Sequence, residues 1–182
     1  MKIVQFLVSV LLFSFLVTPV AAVTTSQGVA TLTPTPTKVD YALPYPGILP
    51  DNPLYFLKAI RDRILDFLIV DPAKKAEFYV LQADKRLGMG AVLFEQGKAQ
   101  LSEDTVSKGE KYLVQALGSA QSLKNSGKEI PGYLLDRLTK SAAKHEEILK
   151  ELVAKATGKD LASFQESLIL LQKTIADIAG LK

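Results

Sequence analysis

The chain has no cysteine, no tryptophan and a single histidine, His145, among its 182 residues. Without cysteine it can form no disulfide, no thiolate metal site and no thiol nucleophile. A single histidine also leaves little scope for the zinc sites and acid–base pairs that rely on imidazole groups. The sequence therefore predicts no catalytic residue, no cofactor and no metal ion, and we expect no enzymatic activity.

A strong charge of one sign is missing too. The formal net charge is +3, and it falls to about +2 once Lys2 is removed with the N-terminal segment described next. A charge this small, with acidic and basic residues intermixed, does not predict nucleic-acid binding. No run of like charges indicates a patch for a membrane surface. We therefore expect a protein or cell-envelope partner.

The N-terminal segment is typical of an export signal. Lys2 precedes an apolar run from Ile3 to Val17, Pro19 breaks that run, and small residues follow at 20–22. This pattern predicts a signal peptide over residues 1–22. The alternative is an uncleaved anchor, because about 20 apolar residues suffice to cross a bilayer. Either way we expect export across the cytoplasmic membrane to a secreted or cell-envelope location, with membrane attachment only if the anchor is retained.

Two further segments precede the helical part of the chain. Residues 23–40 are rich in Thr and Pro and poor in large apolar groups, which predicts a disordered tether, either a plain spacer or an O-glycosylated stalk. Residues 41–50 contain three prolines among apolar and aromatic residues, which forbids a helix. We expect this segment to be a strap packed across the helices, anchored by Leu43, Tyr45 and Leu49; the alternative is an exposed ligand for a partner. The candidate strap or interaction residues are Tyr41, Leu43, Tyr45, Leu49 and Tyr55.

From residue 51 onward, apolar residues recur at helical spacing and predict five helices. The first begins at Asp51-Asn52-Pro53, where an Asp or Asn can cap the helix, and ends before Asp71-Pro72. Its apolar stripe, with Phe56 and Phe67 beside it, predicts burial on more than one side. The other helices are predicted to run to about Gln96, from near Ser102 to Gly127, from Pro131 to Gly158, and onward from Asp160.

The connections between these helices are short, which makes sequential neighbours antiparallel. No segment alternates with period two for long enough to form a sheet. The predicted fold is all-α: an antiparallel bundle of about five helices, preceded by the strap and the tether. The bundle domain, with the strap, covers residues 41–182.

Three local patterns resemble parts of catalytic or ligand-binding sites, but each is better explained by a structural role or by chance. His145 lies on the apolar stripe of the fourth helix, where Ala142 and Leu149 occupy the positions of possible co-ligands, so a core histidine is expected. If it is buried, its protonation near pH 6 is expected to loosen that helix. Ser141-Ala142-Ala143-Lys144 matches a penicillin-binding motif whose other elements are missing. Gly88-Met89-Gly90 lies within a helix, and close approach of another helix or of the strap is expected there.

Residues 49–58 read Leu-Pro-Asp-Asn-Pro-Leu-Tyr-Phe-Leu-Lys, and an Asp-Pro step follows at 71–72 and Ala-Asp-Lys-Arg-Leu at 83–87. Over roughly residues 49–152 the chain resembles an uncharacterised domain family of secreted bacterial all-helical proteins that carries this signature. Gly88 and Gly90 depart from it, since Ala or another helix former is expected there. The resemblance implies a helical extracytoplasmic domain and brings no assigned activity.

The sequence therefore predicts one function and one alternative to it. The first is a non-catalytic interaction or structural module outside the cytoplasm, whose partner the sequence does not identify. The alternative is a periplasmic chaperone-like protein that binds unfolded or envelope proteins. The Leu-Thr-x-x-Gln motif of such chaperones fails here, because Leu138-Thr139 continues with Lys140-Ser141-Ala142. An enzyme or a metal carrier is disfavoured by the missing residue types.

Overall fold

A computed structural model describes residues 38–181 of the chain. They form five α-helices: α1 Tyr55–Leu68, α2 Pro72–Glu95, α3 Ala99–Asn125, α4 Gly132–Lys155 and α5 Gly158–Ala179. No strand occurs between residues 38 and 181, so the all-α prediction is confirmed. The predicted signal peptide, and residues 23–37 of the predicted tether, lie outside this range. Within it, no helix has the length and apolar character needed to cross a membrane.

Local sequence signals set several of the helix ends. At the start of α2 the Asp71 carboxylate accepts a hydrogen bond of 2.9 Å from the Lys74 amide, and Pro72 occupies the first turn, where no N–H is needed. Gly97 and Gly127 follow α2 and α3 with φ of 76°. That left-handed conformation lets the next amide, Lys98 or Lys128, turn back to a carbonyl of the last helical turn.

Other boundaries differ from those predicted. The first helix begins at Tyr55, because the Asn52 side chain accepts a hydrogen bond from the Leu54 amide and so stabilises a turn that precedes the helix. The third helix begins at Ala99, three residues earlier than predicted from the acidic pair after Ser102. The fourth ends at Lys155, and Gly158, predicted to end it, is instead the first residue of α5, with φ of 58°.

Helices α2 to α5 form a four-helix bundle. Around its circumference the order is α2, α3, α5, α4, so that α3 and α4 lie diagonally across the core. Each short connection reverses the chain direction, and sequential neighbours are antiparallel, as predicted. The pairs α2–α4 and α3–α5 are consequently parallel. Two hydrogen bonds confirm this: Tyr133 to Glu77 joins the starts of α4 and α2, and Lys124 to the Leu181 carbonyl joins the ends of α3 and α5.

The closest helix contact in the bundle, between α2 and α3, depends on two glycines. A Cβ placed on Gly90 would lie 2.2 Å from Val106 Cγ2 and 3.2 Å from the Ser102 carbonyl oxygen. One placed on Gly109 would lie 3.3 Å from the Ala83 carbonyl oxygen. The Ser102 hydroxyl donates a 2.7 Å hydrogen bond to the Gly90 carbonyl across the same contact. The prediction that another helix approaches at the glycine pair is confirmed for Gly90.

Residues 38–50 form the strap, which contains no helix and no strand, and Leu43 packs against the bundle core. Its Cδ1 and Pro46 Cβ each lie 3.9 Å from where a Cβ on Gly88 would be, an ordinary van der Waals distance. The strap begins earlier than the predicted boundary at residue 41, because the Val39 amide donates a 2.6 Å hydrogen bond to Glu147 on α4. The end of the predicted tether is thus attached to the bundle.

Helix α1 is the largest departure from the sequence prediction. It was expected to bury its apolar residues on more than one side, but its two buried residues are Lys58 and Asp62. Its large aliphatic and phenylalanine side chains, and that of Leu54 just before it, are more than a third exposed: Phe56, Leu57, Ile60, Ile64, Leu65, Phe67 and Leu68. The prediction of burial was wrong, because helical periodicity reveals an apolar face without showing which side the bundle occupies.

Candidate functional site

Two features of the described chain have the character of a site: a buried charge cluster in the bundle core and the exposed apolar face of α1. The buried charge cluster consists of Asp84 on α2, Glu110 on α3, Ser141 and His145 on α4, and Tyr41 from the strap. The four helical members are at most 1% exposed. Charged groups are rarely buried this completely unless they are paired, so each charge of the cluster is expected to have a partner.

His145 lies between the two carboxylates of the cluster. Its Nδ1 is 2.7 Å from Glu110 Oε1, a hydrogen bond. Its Nε2 is 3.3 Å from Asp84 Oδ1, an ion-pair distance without hydrogen-bond geometry. Asp84 also accepts a 2.6 Å hydrogen bond from the Ser141 hydroxyl and another of 2.6 Å from the Tyr41 hydroxyl. The cluster therefore ties together three helices and the strap.

The two carboxylates decide the charge of the imidazole. Burial alone lowers the pKa of His145, but attraction to Glu110, aided by Asp84, outweighs burial and raises it to about 9. The hypothesis that protonation near pH 6 loosens this helix is consequently wrong: the protonated ring is the stabilised form. Burial of Tyr41 and the hydrogen bond that it donates to Asp84 raise the pKa of that phenol to about 12. The tyrosine remains a neutral donor.

The geometry of the buried charge cluster does not suit catalysis. The Ser141 hydroxyl donates to Asp84 and not to His145, so the ring nitrogen is not placed to remove its proton. Both ring nitrogens face a carboxylate, which leaves no common point where a metal could meet all three groups. Among residues 38–181, no group of three or more His, Asp or Glu is arranged to hold a metal ion. What the cluster can do is lock the relative positions of α2, α3 and α4.

The exposed apolar face of α1 is the second feature. Six of its side chains lie on one side of the helix, and each is more than half exposed: Phe56, Leu57, Ile60, Ile64, Phe67 and Leu68. Phe67 reaches 84% exposure, and Val70, just beyond the helix, reaches 85%. Scattered exposed apolar residues are ordinary in soluble proteins, whereas a contiguous face of this kind is a candidate interaction surface. We call these six residues the outward face of α1.

The opposite side of α1 carries ion pairs within the helix, at Asp62, and polar contacts to α2, at Asp66. Asp62 is 3.1 Å from Lys58 Nζ and 2.7 Å from an Arg61 guanidinium nitrogen. Asp66 accepts a 2.6 Å hydrogen bond from the hydroxyl of Tyr79 on α2 and lies 3.6 Å from Lys75 Nζ. Burial lowers the pKa of Lys58, while its partner Asp62 opposes that shift. The Asp66 contacts orient α1 with Lys58 and both acids inward and its apolar residues outward.

The residues predicted for the strap or for an interaction are distributed over both features. Tyr41 belongs to the buried charge cluster, and Leu43 packs against the core. Leu49 is partly buried near the start of α1. Tyr45 does not anchor the strap, because its side chain is 82% exposed. Tyr55 lies on the inward side of α1, with the Lys58 ammonium 5.4 Å from its ring centre.

Sequence reasoning missed Asp84 and Glu110 as partners of His145. A signal was present, because both residues take positions that the apolar stripe would otherwise fill. Asp84 lies four residues after Val80 and three before Leu87, both fully buried. Glu110 stands in the same relation to Val106 and Leu113. A carboxylate at a stripe position on each of two helices, with a histidine at a stripe position on a third, predicts that they meet in the core.

The fold and these features define an all-helical domain: a four-helix bundle with a charged core, a strap, and an added helix whose apolar side faces solvent. The chain belongs to a family described as Domain of unknown function (DUF5667), whose model matches residues 47–159, more than half of the chain. That match begins in the strap and ends at the start of α5. No curated protein and no solved structure matches the chain significantly.

Proposed function

We propose that this protein is a non-catalytic interaction module that is exported across the cytoplasmic membrane and acts as a secreted or envelope-associated protein, with the outward face of α1 as its binding surface. The observation that carries the proposal is the orientation of α1. An amphipathic helix gains stability when its apolar face is buried, yet here the two buried residues are the charged Lys58 and Asp62, and the large apolar side chains are exposed. A partner that covers the outward face would remove this apolar surface from water.

The remainder of the domain supports a scaffold role. The buried charge cluster has the residue types of an active site, but its helical members are closed off from solvent. It links α2, α3, α4 and the strap, and so holds the surface from which α1 projects.

Export is supported by the sequence at residues 1–22. An N-terminal mass measurement on the protein recovered from outside the cytoplasm tests export and processing together.

A photo-crosslinking amino acid at position 67 tests the binding surface in the cells that produce the protein. The matched control carries the same amino acid at position 169 on α5, where Ile169 is 66% exposed outside the outward face. We expect adducts, with protein or with lipid, from position 67 and few from position 169. Equal or absent crosslinking at the two positions would refute a binding role for α1.

A chaperone-like activity would use the same apolar face, so the orientation of α1 also favours this second candidate. It differs in its client, which would be any unfolded chain. Suppression of the aggregation of a reduced, unfolded model protein at stoichiometric amounts, lost in the Ile64→Ser/Phe67→Ser variant, would favour the chaperone. Specific crosslinking without such suppression would favour the interaction module.

A further inference from the structure

The outward face of α1 has a defined width and a defined charge at its borders. At about 100° per residue, its six apolar side chains span an arc of about 120° along the whole helix. Arg63 borders the arc beside Phe56 and Phe67, and Arg61 borders it beside Leu68. Both arginines are exposed. The surface is therefore an apolar strip with one arginine at each border. The Arg61 guanidinium is paired with Asp62 at 2.7 Å although its side chain is 59% exposed, whereas Arg63 forms no ion pair among residues 38–181.

The acidic residues of α1 are turned away from this strip. Asp62 is buried against Lys58 and Arg61, and Asp66 is engaged by Tyr79 and Lys75 on α2. The exposed charged residues of α1 are thus both arginines. The sequence alone conceals this asymmetry, because two acids and three bases alternate along the helix. It appears only when the inward and outward sides are known.

An apolar strip with arginine on both borders is complementary to the surface of an anionic bilayer. Phe, Leu and Ile side chains enter the boundary between headgroups and acyl chains, and arginines beside them extend to the phosphates. We propose, as a deeper reading of the function proposed above and resting on it, that α1 lies in the plane of a membrane that contains anionic lipid and attaches the bundle to it. With 14 residues, about 21 Å, the helix is too short to span the bilayer.

A second copy of the chain is a poorer occupant of the same surface. Two outward faces packed on each other would place the arginines of both copies around one apolar strip. The acids of α1 are already engaged, Asp62 with Arg61 and Asp66 with Tyr79, so neither is available to Arg63 of the other copy. Like charges gathered at an interface oppose association, whereas an anionic surface supplies the missing counter-charge.

The test uses the full chain and exploits its lack of tryptophan. The Phe67→Trp variant places a single indole on the outward face, and the control variant Ile169→Trp places one on α5. Each is titrated with vesicles of phosphatidylcholine alone and of phosphatidylcholine mixed with phosphatidylglycerol. The readout is the emission of the indole and its quenching by brominated lipid. Because the readout is local, attachment through the apolar N-terminal segment does not imitate it.

We expect a blue shift and lipid quenching for Phe67→Trp with the anionic vesicles, and neither for Ile169→Trp. Adding Arg63→Gln should weaken the partitioning of α1 about five-fold, whereas adding Lys173→Gln on α5 should leave it unchanged. A shift of the same size in neutral vesicles, insensitive to Arg63→Gln, would overturn the assignment. So would an indole at 67 that stays exposed to water with every vesicle.

Two further outcomes separate this inference from the function on which it rests. A blue shift that follows protein concentration without lipid would identify a second copy as the occupant and refute the membrane. Crosslinks from position 67 to a protein, combined with no response to vesicles, would refute the membrane and leave the interaction module standing. Absence of both crosslinks and vesicle response would refute both.

Discussion

His145 Nδ1 and Glu110 Oε1 lie 2.7 Å apart in the bundle core, and both side chains are closed off from water. Taking a carboxylate and an imidazolium out of water is costly, and removing one of two such partners leaves the other charge buried without compensation. The pair therefore makes the correct assembly of α3 against α4 depend on a specific contact. Asp84 extends this dependence to α2, and Tyr41 extends it to the strap.

Stability should fall as the pH rises, because the imidazole is held in its protonated form. The pKa of His145 is about 9 in the folded chain against 6.5 for the free side chain. A raised pKa contributes stability that is complete below pH 6.5 and is lost as the pH rises toward 9. We expect the free energy of unfolding to decrease across this window by up to about 3 kcal/mol. Urea denaturation at a series of pH values measures it.

The Glu110→Gln variant serves as the control for that dependence. It removes the larger of the two attractive influences on the ring, so the pKa of His145 in the folded chain should fall. The decrease in stability, which still begins near pH 6.5, should then be smaller and end at lower pH. It should also destabilise the domain at neutral pH by about 3 kcal/mol, because a buried pair is broken. A wild-type profile that is flat between pH 6.5 and 9, or a profile unmoved by Glu110→Gln, would contradict the assigned charge state of His145.

Alanine substitution at the two neighbouring glycines of α2 should change the stability of the domain in opposite directions. At Gly88 a methyl group meets only ordinary contacts at 3.9 Å, so Gly88→Ala should stabilise the helix by about 1 kcal/mol. At Gly90 it would lie 2.2 Å from a methyl group of fully buried Val106, so Gly90→Ala should destabilise by about 1–3 kcal/mol. Thermal or chemical denaturation of the two variants decides this. Equal effects would show that α2 and α3 are not packed as closely as described.

Much of the bundle follows from sequence, for identifiable reasons. The Asp71-Pro72 step and the glycines at 97 and 127 act locally, so the ends they specify were predictable. The buried leucines of α4, such as Leu138 and Leu149, repeat at a spacing that demands a partner helix. The role of Asp84 and Glu110 was not predicted, because a charge within an apolar stripe is interpretable only once its neighbours on other helices are known.

The side of α1 that faces the bundle could not be predicted from the sequence. An amphipathic helix shows the same apolar periodicity whether its apolar side faces a bundle or the solvent. The deciding contacts are between helices. Tyr79 and Lys75 on α2 bind Asp66 and so fix the inward side of α1. The exposed outward face is therefore a result of the tertiary structure, although the sequence already indicated an apolar stripe on this helix with Phe56 and Phe67 beside it.

Substitution of the outward face should leave stability almost unchanged. Ile64 is 54% exposed, so Ile64→Ser should alter the free energy of unfolding by no more than about 0.5 kcal/mol. The matched core variant Leu87→Ala should destabilise by about 2–5 kcal/mol, because Leu87 is fully buried. Urea denaturation of both variants provides the comparison. A large loss from Ile64→Ser would mean that α1 buries its apolar side within the domain.

The inward contacts of α1 should decide whether that helix stays attached to the bundle. Asp62→Ala removes the carboxylate that pairs with Lys58 of the same helix at 3.1 Å. It leaves a buried ammonium group without its partner on the inward side of α1, at an expected cost of about 3 kcal/mol. The loss should be local, because the other helices keep their own core. Hydrogen exchange should show α1 amides losing protection while α2 to α5 retain it. The control Asp136→Ala breaks an exposed pair on α4, Lys140–Asp136 at 2.8 Å, and should leave both hydrogen exchange and stability almost unchanged. Uniform loss of protection in Asp62→Ala would instead show that α1 is an integral part of the cooperative core.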